Sequence, residues 1–161
     1  MTAAKDKTNA LRLLEAHHVS HQIFTFSPEI HSAVEVAQVL GLPPHEVYKT
    51  LVVLRSQGRP LLVMIAGDCE LDLKRVAAAL GEKKVRMATQ REAENLTGLQ
   101  VGGISALALL GRPFDVFIDR SALALQHIVV SAGKRGMNVR LAVDDLLRVT
   151  RARVIEATTT G

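Results

Sequence analysis

Val47-Tyr48-Lys49-Thr50-Leu51-Val52-Val53-Leu54 is the stretch on which the fold turns. Its second half, Leu51 to Leu54, is aliphatic and β-branched and gives way to Arg55 and Gly58, the pattern of a buried strand. A second apolar run, Leu61-Leu62-Val63-Met64-Ile65-Ala66, follows Arg55-Ser56-Gln57-Gly58-Arg59-Pro60, so the pair reads as a hairpin with a loop longer than two residues. Lys49 stands at the lip of the first strand. Burying an unpaired ammonium costs on the order of several kcal/mol, so this lysine either reaches water along its stem or meets an anion or a carbonyl.

Outward from the hairpin, short helices and strands alternate without a regular βαβ rhythm. Asn9 to His18 reads as a helix with Leu11 and Leu14 on one face, and His21 to Phe26 as a strand. Ser32 caps a helix from Ala33 to Leu40 that Gly41 closes, and Pro43-Pro44 starts a short turn ending near Tyr48. Beyond the hairpin, Asp72 caps a helix through Leu80, Gly81 stops it, and Val85-Arg86-Met87 forms a short strand. Thr89 with Glu92 is a capping box for a helix ending at Gly98. Phe114 to Asp119, His127 to Ser131 and Met137 to Ala142 read as strands, Val143 to Thr150 as a helix, and Val154-Ile155 as a short extension. This mixture predicts an α+β fold.

The chain of 161 residues is 48% hydrophobic and 22% charged, enough for one compact domain over residues 1–161 with a sizeable core. Aromatic residues make up only 3%, so that core must be built from Leu, Val, Ile and Ala. No apolar stretch approaches the roughly 18 residues that span a bilayer, which predicts no membrane partner. Met1 to Lys7 has no signal-type apolar core behind it, and the single cysteine, Cys69, leaves no internal disulfide. Both point to the cytoplasm. The formal charge of +4 comes entirely from residues 81–161, which carry twelve Lys/Arg against eight Asp/Glu. A basic half of this kind favours an anionic partner, with nucleic acid the commonest.

Two motifs carry candidate chemistry. In Val101-Gly102-Gly103-Ile104-Ser105 the paired glycines permit close backbone approach and can turn N–H groups toward a carbonyl or phosphate oxygen, or can form an ordinary loop. The spacing is not that of a P-loop. Ser131-Ala132-Gly133-Lys134-Arg135-Gly136 lies between two strands. It is either a solvated hairpin tip or a ligand-facing hydroxyl, Ser131, with Lys134 and Arg135 on phosphates. The histidines at 17, 18, 21, 31, 45 and 127 contain no His-x-x-x-His pair, and Cys69 has no second thiol nearby, so no metal is expected. No Gly-x-Ser-x-Gly elbow occurs, and Cys69 lies in an acidic Asp-Cys-Glu context. No protein nucleophile is evident.

Taken together, these stretches resemble the YbaK/prolyl-tRNA-synthetase-associated editing family, most closely its YbaK/EbsC branch. The resemblance runs through Val47-Tyr48-Lys49-Thr50, Leu71 to Ala77, Gly81 to Ala88, Thr97-Gly98, Val101 to Ser105 and Val130 to Gly136. It implies a curved mixed β-sheet surrounded by helices, and a free-standing deacylase that removes cysteine from mischarged proline tRNA without a cofactor. The family's essential lysine falls on Lys49, its Gly-Gly loop on Gly102 and Gly103, and its strand-end serine on Ser131. Phe26 falls where the family often has tyrosine, Asn138 on a polar substrate-contacting position, and Ala106 where a proline often follows the Gly-Gly loop. The segment between Phe26 and Ala33 is short by comparison. Thr50 joins Ser131 as a candidate for the ribose or the α-amine. Substrate-assisted attack by the cysteinyl thiol would explain the missing nucleophile. Prolyl-tRNA synthetase is the partner the resemblance suggests. A water-using deacylase that prefers alanine, or a non-catalytic tRNA- or synthetase-binding module, would fit the same motifs.

Overall fold

The computed structural model describes residues 7–159; the stretch Met1 to Asp6, read above for a signal-type core, lies outside them. In chain order the elements are α1 (Asn9–Ala16), β1 (His21–Thr25), α2 (Ala33–Leu40), a 3-10 turn (Pro44–Glu46), β2 (Tyr48–Arg55) and β3 (Leu61–Ala66). There follow α3 (Leu73–Leu80), β4 (Val85–Met87), α4 (Gln90–Thr97), β5 (Asp115–Asp119), a second 3-10 turn (Arg120–Ala124), β6 (His127–Lys134), β7 (Met137–Ala142), α5 (Val143–Thr150) and β8 (Arg153–Ile155). No helix among the described residues is long and apolar enough to cross a membrane.

The α+β class holds, with the strands divided between two sheets. One is antiparallel, in the order β1-β7-β6; the other is mixed, in the order β4-β2-β3-β5-β8, with β3-β5 and β5-β8 parallel. A parallel bridge from Val47 to Val129 joins them. The 3-10 turn Pro44–Glu46 directly precedes Val47 and spends the N–H groups of Glu46 and Val47 on Pro43 O and Pro44 O, so the chain leaves the extended conformation there. The seam therefore stays one bridge wide.

β3 explains the core. Every residue from Leu61 to Ala66 is buried, because both faces of the strand are covered. Leu62, Met64 and Ala66 join a large cluster with Ile118, Val130, Val139 and Leu146, whereas Leu61, Val63 and Ile65 pack with Val76, Ala77 and Phe117 beneath α3. A continuous aliphatic run is what a two-sided strand requires.

Helix ends follow the capping signals. Asp72 accepts from the N–H groups of Lys74 and Arg75 at 3.1 and 3.2 Å, and Gly81 closes α3 in the left-handed region. Thr89 and Glu92 form the reciprocal capping box of α4. Arg86 adds two 2.8 Å hydrogen bonds to the same Glu92 carboxylate, tying β4 to α4.

Candidate active site

β2 begins at Tyr48, three residues earlier than the aliphatic run suggests, so Lys49 lies within the strand, opposite Ile65 of β3. On its other edge β2 is laddered to β4 at Val53–Arg55, and the residue just before β2, Val47, bridges to Val129 of β6. Between those two points no strand of the described residues covers the edge. A cavity of about 550 Å³ opens there, lined by Lys49, Thr50 and Leu51.

The Lys49 ammonium is half-buried and donates to the Gly67 carbonyl at 3.2 Å. Gly67 itself sits where a β-carbon would meet Ala33 Cβ at 2.7 Å and Val47 O at 2.8 Å. The turn after β3 is thus pressed under the start of α2, and its carbonyl anchors Lys49 at the cavity wall. One carbonyl leaves the remaining ammonium protons for a second acceptor.

Ser131 and Asn138 face each other across β6 and β7, are both buried, and both line the cavity. Ser131 Oγ accepts from Gly133 N–H at 3.1 Å within a β-bulge that carries β6 on to Lys134. The strand is therefore longer than the expected His127–Ser131, and the reversal shrinks to Arg135 and Gly136.

The two glycines of the loop divide their roles. Gly102, at φ +93°, lines the cavity and lies against the Cβ of His31 so closely that no side chain fits. Gly103 packs against the backbone of Lys134 and Arg135, where an added β-carbon would meet Arg135 N at 2.8 Å, and its N–H already donates to Gln100 O at 2.8 Å. Gly103 is a packing residue, with no N–H to offer an oxyanion.

Three other expected site residues stand elsewhere. Phe26 packs beside Val36, Ala37, Val47 and Val129, and its N–H donates to Gly136 O at 2.9 Å. Arg135 is half-buried, with Nε donating to Val101 O at 2.7 Å, so it braces the glycine loop. Lys134 remains exposed at the tip. Sequence reasoning missed His31, Gly67, Met87 and Gln90, all of which line the cavity. His31, Gly67 and Gln90 belong to no motif, and Met87 lies in the Gly81–Ala88 stretch with no role attached to it; each arrives by the packing of an element whose own signal concerns helix capping or strand burial.

Beneath the cavity, Tyr48 hydroxyl and Ser121 Oγ share a 2.6 Å hydrogen bond. Burial pushes the Tyr48 phenol up to about 12, with the Ser121 bond opposing. Asp119 accepts from Ser121 N–H at 3.1 Å and Ala157 N–H at 2.8 Å; burial opposes its charge, but these bonds outweigh it and hold its carboxyl below the ordinary range. Burial first, and Asp68 second, raise the Cys69 thiol, which favours its protonated, unreactive form. Among the described residues no group of three or more His, Cys, Asp or Glu could hold a metal ion.

Residues 27–149 match the family model described as aminoacyl-tRNA editing domain. The chain is 38% identical over 157 residues to EbsC of Enterococcus faecalis, whose name describes a Cys-tRNA(Pro)/Cys-tRNA(Cys) deacylase, covering 96% of this chain and 95% of that protein. It is 29% identical over 105 residues to the proline–tRNA ligase of Aquifex aeolicus, covering 65% of this chain but only 18% of the ligase. Among solved structures, the hypothetical protein APE2540 superposes with a TM-score of 0.86 at 26% identity, covering 94% of this chain and 99% of that one. A structure described as a trans-editing enzyme for prolyl tRNA synthetase superposes with a TM-score of 0.82 at 24% identity, covering 94% and 96%.

Proposed function

Because the chain belongs to the aminoacyl-tRNA editing domain family, we propose that it is a trans-editing deacylase that removes cysteine from mischarged proline tRNA, acting as one domain over residues 1–161. The observation that carries this reading is the meeting of Lys49, Thr50, Gly102, Ser131 and Asn138, from four separate segments, around one cavity. No activated nucleophile stands among them: among the described residues neither hydroxyl, of Thr50 or Ser131, is hydrogen-bonded to a His, Asp or Glu side chain, Ser131 Oγ accepts only from Gly133 N–H, and Cys69 is outside the lining.

An aminoacyl ester is already activated, so positioning and oxyanion stabilisation can supply much of the rate. Lys49, fixed on Gly67 O, directs its remaining protons at the ester oxygen or the terminal phosphate. Gly102 is the one glycine of the pair whose backbone borders the cavity, so it is the candidate oxyanion donor. Thr50, Ser131 and Asn138 hold the ribose hydroxyl or the α-amine. The substrate's thiol sulfur attacks its own carbonyl carbon: a C–S bond forms, the C–O ester bond breaks, and the thiol proton passes to the departing ribose hydroxyl. The cyclic thioester released is then hydrolysed by water. No cofactor or metal takes part. Lys134 and the basic residues of the second half of the chain supply phosphate contacts, and prolyl-tRNA synthetase in the cytoplasm is the partner that delivers the mischarged tRNA.

The test is release of amino acid from Cys-, Ser- and Ala-charged proline tRNA. Lys49→Ala should lower turnover of the Cys-charged substrate at least a hundredfold, about the scale for losing one electrostatic donor, and Cys69→Ala should leave it near wild type. Equal turnover of Cys- and Ser-charged tRNA would refute thiol attack. Preference for the Ala-charged form would instead assign a water-using deacylase, and binding without turnover a non-catalytic module.

A further inference from the structure

We propose that Met87 and Gln90 form the seat for the purine base of the tRNA's 3′-terminal adenosine; this rests on the deacylase reading above. Met87 is 38% exposed and Val34 39% exposed, and of the large apolar side chains left in solvent these two line the cavity. They lie toward opposite ends of it. Val34 is on the first turn of α2, whose Ala33 packs on Gly67 beside Lys49. Met87 is opposite Val53 in the β2–β4 register, and the next N–H, of Ala88, donates to Val52 O at 3.0 Å.

The spacing of these ends decides which part of the substrate each can take. Thr50 stands by the polar cluster and Val52 by Met87, two residues along one strand and therefore about 7 Å apart. A cysteinyl side chain, one carbon and one sulfur long, cannot span from an ester at Lys49–Thr50 to Met87. A ribose followed by its base can. The walls at that end are Val52, Met87, Ala88 and Ala93, which suit the flat apolar face of a base. At their rim Gln90, the first residue of α4, carries an amide held only by a long 3.4 Å bond to Glu94. An amide offers a donor and an acceptor together, which matches the N6 and N7 edge of adenine; cytosine can offer N4 and N3 to the same amide, but its single ring covers less of the apolar wall than a purine does. The thioether of Met87 is polarizable and adapts to an aromatic face.

The experiment uses proline-tRNA acceptor oligonucleotides chemically acylated with cysteine and ending in adenosine, cytidine or an abasic ribose. Wild type should show a KM about tenfold lower for the adenosine end than for the abasic end, the scale of one buried apolar contact. Met87→Ser and Gln90→Ala, both at exposed positions, should raise KM for the adenosine end with kcat held, and should erase the preference. In parallel, adenosine 5′-monophosphate should shift the Met87 methyl resonance, and cytidine 5′-monophosphate should shift it several-fold less at the same concentration. An undiminished adenosine preference in both variants, or no methyl shift, overturns the seat even if wild type deacylates normally. A methyl shift with no turnover of any substrate would keep the seat and sink the deacylase reading instead.

Discussion

Glu94 and Arg135 grip the same residue from opposite sides: Val101 donates its N–H to the Glu94 carboxylate at 2.9 Å, and its carbonyl accepts from Arg135 Nε at 2.7 Å. The peptide leading into Gly102 is thereby fixed by one anion from α4 and one cation from the β6–β7 turn. Neither bond is a backbone ladder, so the loop's position depends on side chains far apart in sequence.

Arg135→Ala should therefore act on the loop more than on tRNA affinity. Losing a charged hydrogen bond of this kind costs about 1–3 kcal/mol, read as a lower melting temperature together with a lower kcat. Lys134→Ala should leave the melting temperature alone and flatten the salt dependence of KM by about one unit of slope.

Gly102→Ala meets two obstacles, the left-handed φ of +93° and the Cβ of His31. A cost of about 1–3 kcal/mol is expected, with at least a tenfold loss of kcat/KM because the cavity wall moves. His31→Gly in the same molecule should restore part of the stability, since it removes the atom in conflict. Failure of that rescue in thermal melts would leave the backbone angle as the sole obstacle.

Tyr48 is the single tyrosine, and the chain has no tryptophan, so ultraviolet phenolate absorbance reports on this residue alone. Its phenol is raised from 10.0 to about 12 by burial, which makes the neutral form the one the folded state prefers. That contribution to stability is complete below pH 10.0 and is lost as pH rises through about 12. Absorbance should stay flat past pH 10.0 and rise either near 12 or together with alkaline unfolding.

Glu92 behaves in the opposite sense. Hydrogen bonds from Arg86, then Thr89, hold its carboxyl at about 2 against an ordinary 4.5. Its stabilising effect is present above pH 4.5 and disappears as pH falls through about 2. The melting temperatures of wild type and Glu92→Gln, followed from neutral pH downward, should differ and then converge in that window.

Capping and burial made most of the fold readable from residues alone. Ser32, Asp72 and Thr89 announce their helices because each satisfies N–H groups locally, and Leu61–Ala66 announces a strand covered on both faces because it is aliphatic throughout. The division into two sheets was not readable, since it depends on where β6 and β4 leave β2, a relation between distant segments. The site divides the same way. Lys49, Gly102, Ser131 and Asn138 carry family motifs and reach the cavity, but nothing local distinguishes Gly102 from Gly103. The difference is an N–H already spent on Gln100. Arg135 next to Lys134 likewise gives no local sign that its Nε braces Val101 O.

The parallel pairing of β5 with β3 and of β8 with β5 also governs how the molecule is made. Residues 153–155 supply the outer strand, and the N–H of Asp72, at the head of α3, donates to the carbonyl of Ala157. While the nascent chain is still on the ribosome, the aliphatic surface of β3 must wait for partners synthesised dozens of codons later. Folding should be slow and should await synthesis of β8, and chains stalled before β8 should be ready clients for chaperones and proteases.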